Sequence, residues 1–318
     1  MIAYVLRRLL TLLPVLLVVG TVTFALVRLT PGDPAAVMLG PEGTPGQVAR
    51  LGERLGLDEP LPVQYLIWLR DLARLDLGES IFLDKSVTAA ILERATPTLQ
   101  LTFYALILAI LIGVPAGVLA AVRPNGTLDR ALMLLALGGT AIADFFLAIL
   151  FILLFAVTLA WLPAGGYVAF SADPLGHVRS MLLPTIALGV SIAGLPARLI
   201  RATMLDILHE DYIRTAVAKG LRPGAVAVGH ALRNALVPAL TVFGATLGDL
   251  LGGAVVIETV FRLPGMGQLA VSSIGRRDFP VIQGVVMTGA VGYLLANLLV
   301  DVLAALLDPR IADVDERG

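Results

Sequence analysis

The chain has 318 residues, of which 58% are apolar and 15% are charged, and its formal net charge is −1. Soluble domains average about 45–50% apolar and about 25% charged residues. This composition and a mean hydropathy of +0.90 therefore exclude an ordinary water-soluble domain and predict an integral membrane protein. There is no cysteine and the three histidines are scattered, which excludes disulfides and leaves no metal-ligand spacing.

Long uncharged runs predict an all-α membrane fold with six transmembrane helices, because about 20 mostly apolar residues cross the hydrocarbon core. The predicted spans are residues 9–27, 95–122, about 132–160, 180–197, 234–257 and 279–300. The first run exceeds the roughly 7–15 residues of a signal-peptide core. We therefore interpret 1–29 as a retained N-terminal transmembrane helix.

Arginine and lysine set the predicted orientation. With the N-terminus inside, most of these residues fall in loops on that side, and the short outer loops hold only Arg179, Arg262, Arg276 and Arg277. The positive-inside rule then predicts a multi-pass protein of the plasma or inner membrane with both termini in the cytoplasm. The polar residues 311–318 are expected to form a loose C-terminal tail.

Residues 30–94 form the only sizeable predicted segment outside the membrane, an extracytoplasmic insertion after the first helix. Proline and glycine at 31–34 end the first helix, and residues 61–77 have the pattern of an amphipathic helix closed by Gly78. A helix lying on the membrane surface and a platform for a delivery protein both fit this pattern.

The longest loop on the predicted cytoplasmic side runs from 206 to 233. Its first half predicts a short helix, with acidic residues early and basic ones late, and Gly220 followed by Pro223 ends that helix. Ala216 and Gly220 are four residues apart and share one face. Such a smooth face suits the docking of a separate protein, and it also suits packing within the bundle.

This loop resembles the EAA loop of binding-protein-dependent ABC importers, in the form found in dipeptide and oligopeptide permeases. The resemblance rests on Asp211-Tyr212-Ile213-Arg214-Thr215-Ala216, Ala218-Lys219-Gly220-Leu221 and His230-Ala231-Leu232-Arg233-Asn234-Ala235-Leu236 with Pro238. Arg214 stands where the general form has glutamate, a departure that those permeases share. Similar stretches extend along nearly the whole chain, among them Tyr4-x-x-Arg7-Arg8-Leu9, Leu55-Gly56-Leu57-Asp58, Asp76-Leu77-Gly78, Glu258-Thr259-Val260-Phe261, Pro264-Gly265-Met266-Gly267 and Arg277-Asp278-x-Pro280.

The resemblance implies a type I ABC importer (MetI-like) transmembrane domain, with a five-helix permease core at 95–310 and a coupling loop at 206–233. The residues coupling it to an ATPase would be Tyr212, Arg214, Thr215, Ala216, Lys219 and Gly220. The implied partners are a second homologous permease, two cytoplasmic ATPase subunits and an extracytoplasmic solute-binding protein, within a lipid bilayer and without nucleic acid. The solute would be a peptide, a nickel complex, an opine or an oligosaccharide.

The chain itself has no phosphate-binding loop, and we expect no cofactor and no catalytic residue in it. Such a loop needs G-x-x-x-x-G-K-[ST], and neither lysine fits, since Lys85 follows Asp84 and Lys219 precedes Gly220. ATP and magnesium are therefore expected on the partner ATPases. An intramembrane protease would need a nucleophile with its base, or paired aspartates, and a secondary transporter usually has repeated halves. The sequence favours neither.

Two carboxylates fall inside predicted spans, Asp144 in the third and Asp249 in the fifth. A charge at the bilayer centre costs about 2.5–3.5 kcal/mol on insertion scales, so each needs a partner. Both are candidates for the translocation pathway, where they would contact solute, and the alternative is a hydrogen bond between helices. At the inner end of the fourth span, Arg198 and Arg201 either snorkel to the headgroups or pair with the coupling loop.

Overall fold

The computed structural model describes residues 2–29, 33–40, 43–54, 56–80 and 82–307. For some of the residues inside helices it describes the backbone alone. The described chain is almost entirely helical. The helices are α1 (Ile2–Leu29), α2 (Pro34–Leu39), α3 (Pro45–Arg54), α4 (Leu61–Ala73), α5 (Val87–Val122), α6 (Thr127–Ala141), α7 (Asp144–Phe151), α8 (Pro174–Leu208), α9 (Asp211–Ala218), α10 (Pro223–Val226), α11 (Arg233–Phe261), α12 (Met266–Arg276) and α13 (Phe279–Leu307). Two π-helical stretches, Ile152–Thr158 and Ala227–Leu232, continue α7 and precede α11, and a two-stranded antiparallel sheet pairs β1 (Glu79–Ser80) with β2 (Lys85–Ser86).

Four of the described helices, α1, α5, α8 and α13, are long and apolar enough to cross a membrane singly. Two bent pairs raise the number to six if each pair is one span. The structure therefore supports four to six spans, and the sequence-based count of six stays a prediction. The predicted tail 311–318 lies outside the described residues.

The third predicted span, 132–160, coincides with a bent pair of helices and stays a prediction, since such a pair is either a broken span or a re-entrant loop. The axes of 127–141 and 144–158 are bent by 101°, because Ile142 and Ala143 adopt extended backbone conformations. A new helix then begins at Asp144, whose carboxylate accepts a hydrogen bond from the Phe145 amide at 2.8 Å. The second span begins earlier than predicted, at Val87, because the Ser86 hydroxyl caps α5 by accepting from the Ala89 amide.

Helix α8 lies at the centre of the bundle and packs on α5, α6, α7 and α11. Glycines allow its closest approach to α5: a Cβ atom at Gly117 would lie 2.6 Å from the Ala197 carbonyl oxygen, and one at Gly113 would lie 2.7 Å from that of Ala193. Small residues that let two backbones meet in this way are typical of helix packing in membranes.

The bundle has two ends. The α9 end holds the turn 123–126 and the connection 209–232 between α8 and α11. The hairpin end holds α2 to α4, the β1–β2 hairpin, the loop 159–173 and α12. At the hairpin end the Ser80 hydroxyl donates to the buried Asp278 carboxylate at 2.5 Å, which ties the hairpin to the start of α13.

Glu258 braces the hairpin end from inside the bundle. It is fully buried, and its carboxylate accepts from the Thr98 hydroxyl of α5 and from the Gln268 amide of α12. The Thr98 hydroxyl in turn accepts from the Met266 amide at 2.8 Å. A Cβ atom at Gly265 would lie 2.2 Å from the Glu258 carboxylate, so only glycine fits there. The run from 258 to 267 therefore joins α5, α11 and α12.

Candidate functional site

Helix α9 and its flanking turns form the first candidate site. Helix α8 stops at His209, Glu210 is extended, and α9 begins with Asp211. The helix ends after Ala218, and Gly220 follows with a φ of +83°, where the Gly220 amide donates to the Val217 carbonyl at 2.9 Å. A left-handed glycine just past a helix is a common stop, so the predicted helix stop is confirmed.

One face of α9 is anchored on the bundle. Ile213 and Ala216 are buried, and they belong to one apolar cluster with Ile200 and Met204 of α8 and with Ala231. This contact fixes α9 against the last turns of α8. The helix is therefore held by tertiary packing rather than by its own length, which at eight residues is too short for stability in isolation.

The opposite face of α9 is exposed and carries most of the predicted coupling residues. Tyr212, Arg214, Thr215 and Lys219 are all exposed. The Tyr212 hydroxyl accepts from the Asn234 side-chain amide at 2.8 Å, which connects α9 to the first turn of α11. Arg214 pairs loosely with Asp211 at 3.4 Å.

The smooth face predicted for Ala216 and Gly220 is wrong. Ala216 is buried against the chain's own bundle, and Gly220 lies beyond the helix in a left-handed turn, so the two do not present a joint exposed surface. The small side chain of Ala216 instead allows α9 to pack on α8, which is the alternative that the residue spacing left open. The exposed apolar surface is different: Tyr212, Val217 and Leu221 are 45%, 54% and 42% exposed.

The second candidate site is the bend between α6 and α7, where Asp144 lies. A Cβ atom placed on Gly253 of α11 would lie 3.1 Å from the Asp144 Oδ2 atom and 3.1 Å from the Leu188 side chain of α8. Asp144 therefore sits beside α8 and α11 at the break. The backbone of Asp249 is in α11, four residues before Gly253, and its side chain lies outside the described part of the chain.

Arg201 pairs with a residue that the sequence did not single out. Its guanidinium donates to both carboxylate oxygens of Asp129, at 2.6 Å and 2.7 Å, and Asp129 is only 2% exposed. The predicted alternatives for Arg201, snorkelling or a bond to the coupling loop, are therefore wrong. The sequence feature that could have indicated this pair is Asp129 itself, an aspartate in the first turn of α6 after a short loop.

His177 was also missed. It is 1% exposed and lies in the first turn of α8, where Tyr104, Tyr167 and Phe170 surround its ring with centroid distances of 5.6–5.9 Å. Its Nδ1 atom is 2.7 Å from the Val168 carbonyl oxygen. These contacts hold the loop 159–173 on the bundle. Among the described residues, no group of three or more His, Asp or Glu residues is placed to hold a metal ion.

A bundle of four to six apolar helices long enough to cross a membrane, with a short helix anchored at one end, defines a multi-pass membrane protein. The chain belongs to the family described as binding-protein-dependent transport system inner membrane component, which matches residues 113–313, and the N-terminal part of such components matches residues 1–102.

Curated relatives match the chain over nearly its full length. It is 44% identical to a probable peptide ABC transporter permease of Sinorhizobium fredii, over 97% of this chain and 98% of that one. It is 42% identical to the dipeptide transport system permease DppB of Alkalihalophilus pseudofirmus and to the glutathione transport system permease GsiC of Salmonella choleraesuis, each over 98% of this chain and 99% of the relative.

Solved structures share the fold. Two inward-facing forms of the MetNI methionine ABC transporter match with TM-scores of 0.54 and 0.56 at 18% and 21% identity. Each match covers 69% of this chain and 96–97% of the solved one. The expected MetI-like type I importer fold is thus confirmed.

Proposed function

We propose that this chain forms half of the translocation pathway of an ATP-driven importer for peptides or similar small solutes. Relatives named as peptide, dipeptide and glutathione permeases support this substrate class. The chain binds no nucleotide in this proposal. Two ATPase subunits bind ATP and magnesium, a second homologous permease completes the pathway, and a solute-binding protein delivers the solute from outside.

The α9 end faces the cytoplasm in this proposal, together with both chain termini. Most of the short-loop arginines, the start of α1 and the end of α13 fall at this end, as the positive-inside rule requires. The hairpin end, including the insertion at 30–94, then faces the binding protein.

The observation that carries ATPase docking is the exposed apolar surface of α9. Tyr212, Val217 and Leu221 are about half exposed beyond the end of α8. Tyr212 and Val217 are five residues apart, which places them at the two edges of the buried stripe of Ile213 and Ala216, and in this proposal the ATPase covers both edges. Ile213 and Ala216 join α9 to α8, so a push on α9 reaches the central helix of the bundle.

The bend at Asp144 lines the translocation pathway in this proposal, and Asp249 of α11 is the second carboxylate that we assign to it. Non-helical backbone at membrane depth is tolerated only inside protein or beside water, because lipid satisfies no hydrogen bond. The residues of the break, Ala141 to Ala143, are exposed. A water-filled path between two permeases supplies the missing hydration, and Asp144 would meet a solute's amino group there.

Substitution of Val217 tests the docking surface. Val217→Asp places a charge in the proposed interface and should abolish co-purification with the partner ATPases and stimulated ATP turnover, while the chain still inserts and keeps its melting temperature. Val217→Ile preserves the apolar surface and should retain coupling. Val122→Asp, a matched charge at a 41% exposed position at the end of α5 and outside the loop 206–233, should also retain it.

Transport itself is measured in proteoliposomes holding both permeases and both ATPases, with the binding protein and a labelled dipeptide outside. Uptake should require ATP and should stop when the P-loop lysine of the ATPases is replaced. Dipeptide uptake driven by an ion gradient in the absence of ATP would contradict the proposal, as would normal ATPase binding by Val217→Asp.

A further inference from the structure

Two neighbouring cavities at the hairpin end differ sharply in chemistry. The polar cavity, about 310 Å³, lies between α1, α3, α4 and the start of α13, and charged and amide side chains lie among apolar ones in its lining. The apolar groove, about 750 Å³, lies beneath α4 between α1, α5 and α13, and the polar residues among its described lining are two threonines. Leu77 forms part of the wall of both cavities.

The two cavities lie at different membrane depths. The α1 residues of the polar cavity are Phe24, Val27 and Arg28 near the helix end, whereas those of the apolar groove are Leu13, Leu16 and Leu17. From Arg28 to Leu17 the helix descends about 16 Å, the distance from the headgroup region to the middle of a bilayer whose core is about 30 Å thick. A smaller apolar cavity of about 250 Å³ prolongs the groove along α1 and α13.

The polar cavity contains hydrogen-bonding atoms without partners. Gln64 is 8% exposed, and its Nε2 atom donates to the carbonyl oxygens of Leu57 and Glu59 at 2.9 Å and 2.7 Å. These bonds fix the orientation of the Gln64 side-chain amide. They leave its Oε1 atom buried without a hydrogen-bond partner among the described residues, and the Nε atom of Arg28 is buried and unpaired in the same way. A buried unpaired acceptor and donor each cost about 1–3 kcal/mol. Both atoms are closed to water in this conformation, so a ligand in the cavity pairs with them only when the two side chains turn toward it.

The charges in the polar cavity are of both signs. Arg28 is the cation among the described lining residues, stacked over the Phe24 ring at 5.1 Å, and Glu53, Asp71 and Asp76 supply carboxylates. Asp71 also pairs with the exposed Arg70. A headgroup with a phosphate for Arg28 and an ammonium for the carboxylates and Gln64 Oε1 matches this set. A headgroup with net negative charge would face three carboxylates and be repelled.

We propose that this site binds one phospholipid with an amine headgroup, such as phosphatidylethanolamine, with its headgroup in the polar cavity and an acyl chain in the apolar groove. The lipid lies under α4 and joins the insertion at 30–94 to α1 and α13. Trp68 of α4, whose ring lies 3.1 Å from the position of a Cβ atom on Gly20, separates the headgroup region from the deeper chain region. The inference goes beyond transport and needs only the membrane-spanning fold.

Native mass spectrometry of the purified complex, titrated with lipids of identical acyl chains, tests the proposal. Phosphatidylethanolamine should bind at one per chain and at least about tenfold more tightly than phosphatidylglycerol. Arg28→Gln should weaken phosphatidylethanolamine binding by a similar factor, since it removes a charge-assisted bond. Arg50→Gln, the same change on α3 outside both cavities, should leave the affinity unchanged.

The groove is tested by filling it. Ala73→Trp narrows the groove and should abolish binding of both lipids, whereas Leu99→Trp, on the 62% exposed surface of α5, should not. In the wild-type complex, a phosphatidylethanolamine analogue with a photoreactive acyl chain should label residues of α1, α4 and α13 that line the groove. Equal affinity for the two lipids would overturn the proposal. Labelling confined to other helices would also overturn it. A crosslink between groove residues and a helix of a partner subunit would do the same.

Discussion

Replacing Arg201 should destabilise the α9 end through the buried partner that it leaves behind. The Asp129 carboxylate accepts two hydrogen bonds from Arg201 and one from the Asn125 amide at 2.8 Å. Arg201→Met keeps the apolar stem and leaves a 2% exposed carboxylate with one donor. Breaking a buried pair costs about 3–5 kcal/mol. We expect the lower end of that range, because the Arg201 side chain is 25% exposed and water reaches the site.

Asp129→Asn should cost less, about 1–3 kcal/mol, because the amide still accepts from Asn125 while the orphaned guanidinium can turn toward water. The double variant removes both charges and should cost less than the sum of the single variants, with a coupling energy of at least about 1 kcal/mol.

The measurement is reversible unfolding of the chain in bicelles, followed by circular dichroism as the denaturing detergent fraction rises. Arg198→Met, three residues earlier on α8, controls for the loss of a positive charge at this depth. If the two single effects add within about 0.5 kcal/mol, or if Arg201→Met is no worse than Arg198→Met, the pair does not hold α6 on α8 as argued.

Three further outcomes test other parts of the structure. Gly265→Ala places a methyl group against the Glu258 carboxylate and should lower the melting temperature, whereas Gly275→Ala, with open space around it, should raise it slightly; equal effects would mean that α12 is not braced. Burial raises the pKa of Asp278, so the protonated form stabilises the hairpin end at low pH and this contribution is lost as pH rises through the raised pKa. Amide hydrogen exchange in the hairpin should therefore accelerate with pH by more than the intrinsic exchange rate does. Asp278→Asn should remove this additional acceleration. Asp144→Asn should slow dipeptide uptake while leaving ATPase binding unchanged, and unaltered uptake would remove it from the pathway.

Span positions can be predicted from the sequence because length and lack of charge are local properties. The last predicted span, 279–300, lies within α13, and the first lies within α1. The break at Ile142 and Ala143 is different, since neither residue disfavours a membrane helix. It depends on α6 packing on α8, where a Cβ atom at Gly194 would lie 2.1 Å from the Ala136 carbonyl oxygen. No local pattern reports such a contact.

In the coupling loop, too, some features depend on local sequence and others depend on tertiary contacts. The stop at Gly220 is a local property and was predicted. Which face of α9 is exposed was not, because Ala216 is equally suited to an interface with a partner and to close packing within the chain. Only the position of Met204 and Ile213 in the folded bundle decides between them. Asp129 and His177 were missed because their partners, Arg201 and Tyr104, are more than 70 residues away in sequence.

Helix α8 contacts both candidate sites. Its last turns contact Ile213 of α9, Leu188 lies at the Asp144 bend, and its first turn is fixed by the rings around His177. Arg201 also pairs α8 with α6, so we expect a displacement of α9 to reach α6 through the C-terminal half of α8. The extended backbone at Ile142 and Ala143 ends α6 directly before Asp144. If Asp144 lines the pathway as proposed, a displacement passed from α9 to α6 would change its surroundings, which is the coupling that an importer driven by its ATPases requires.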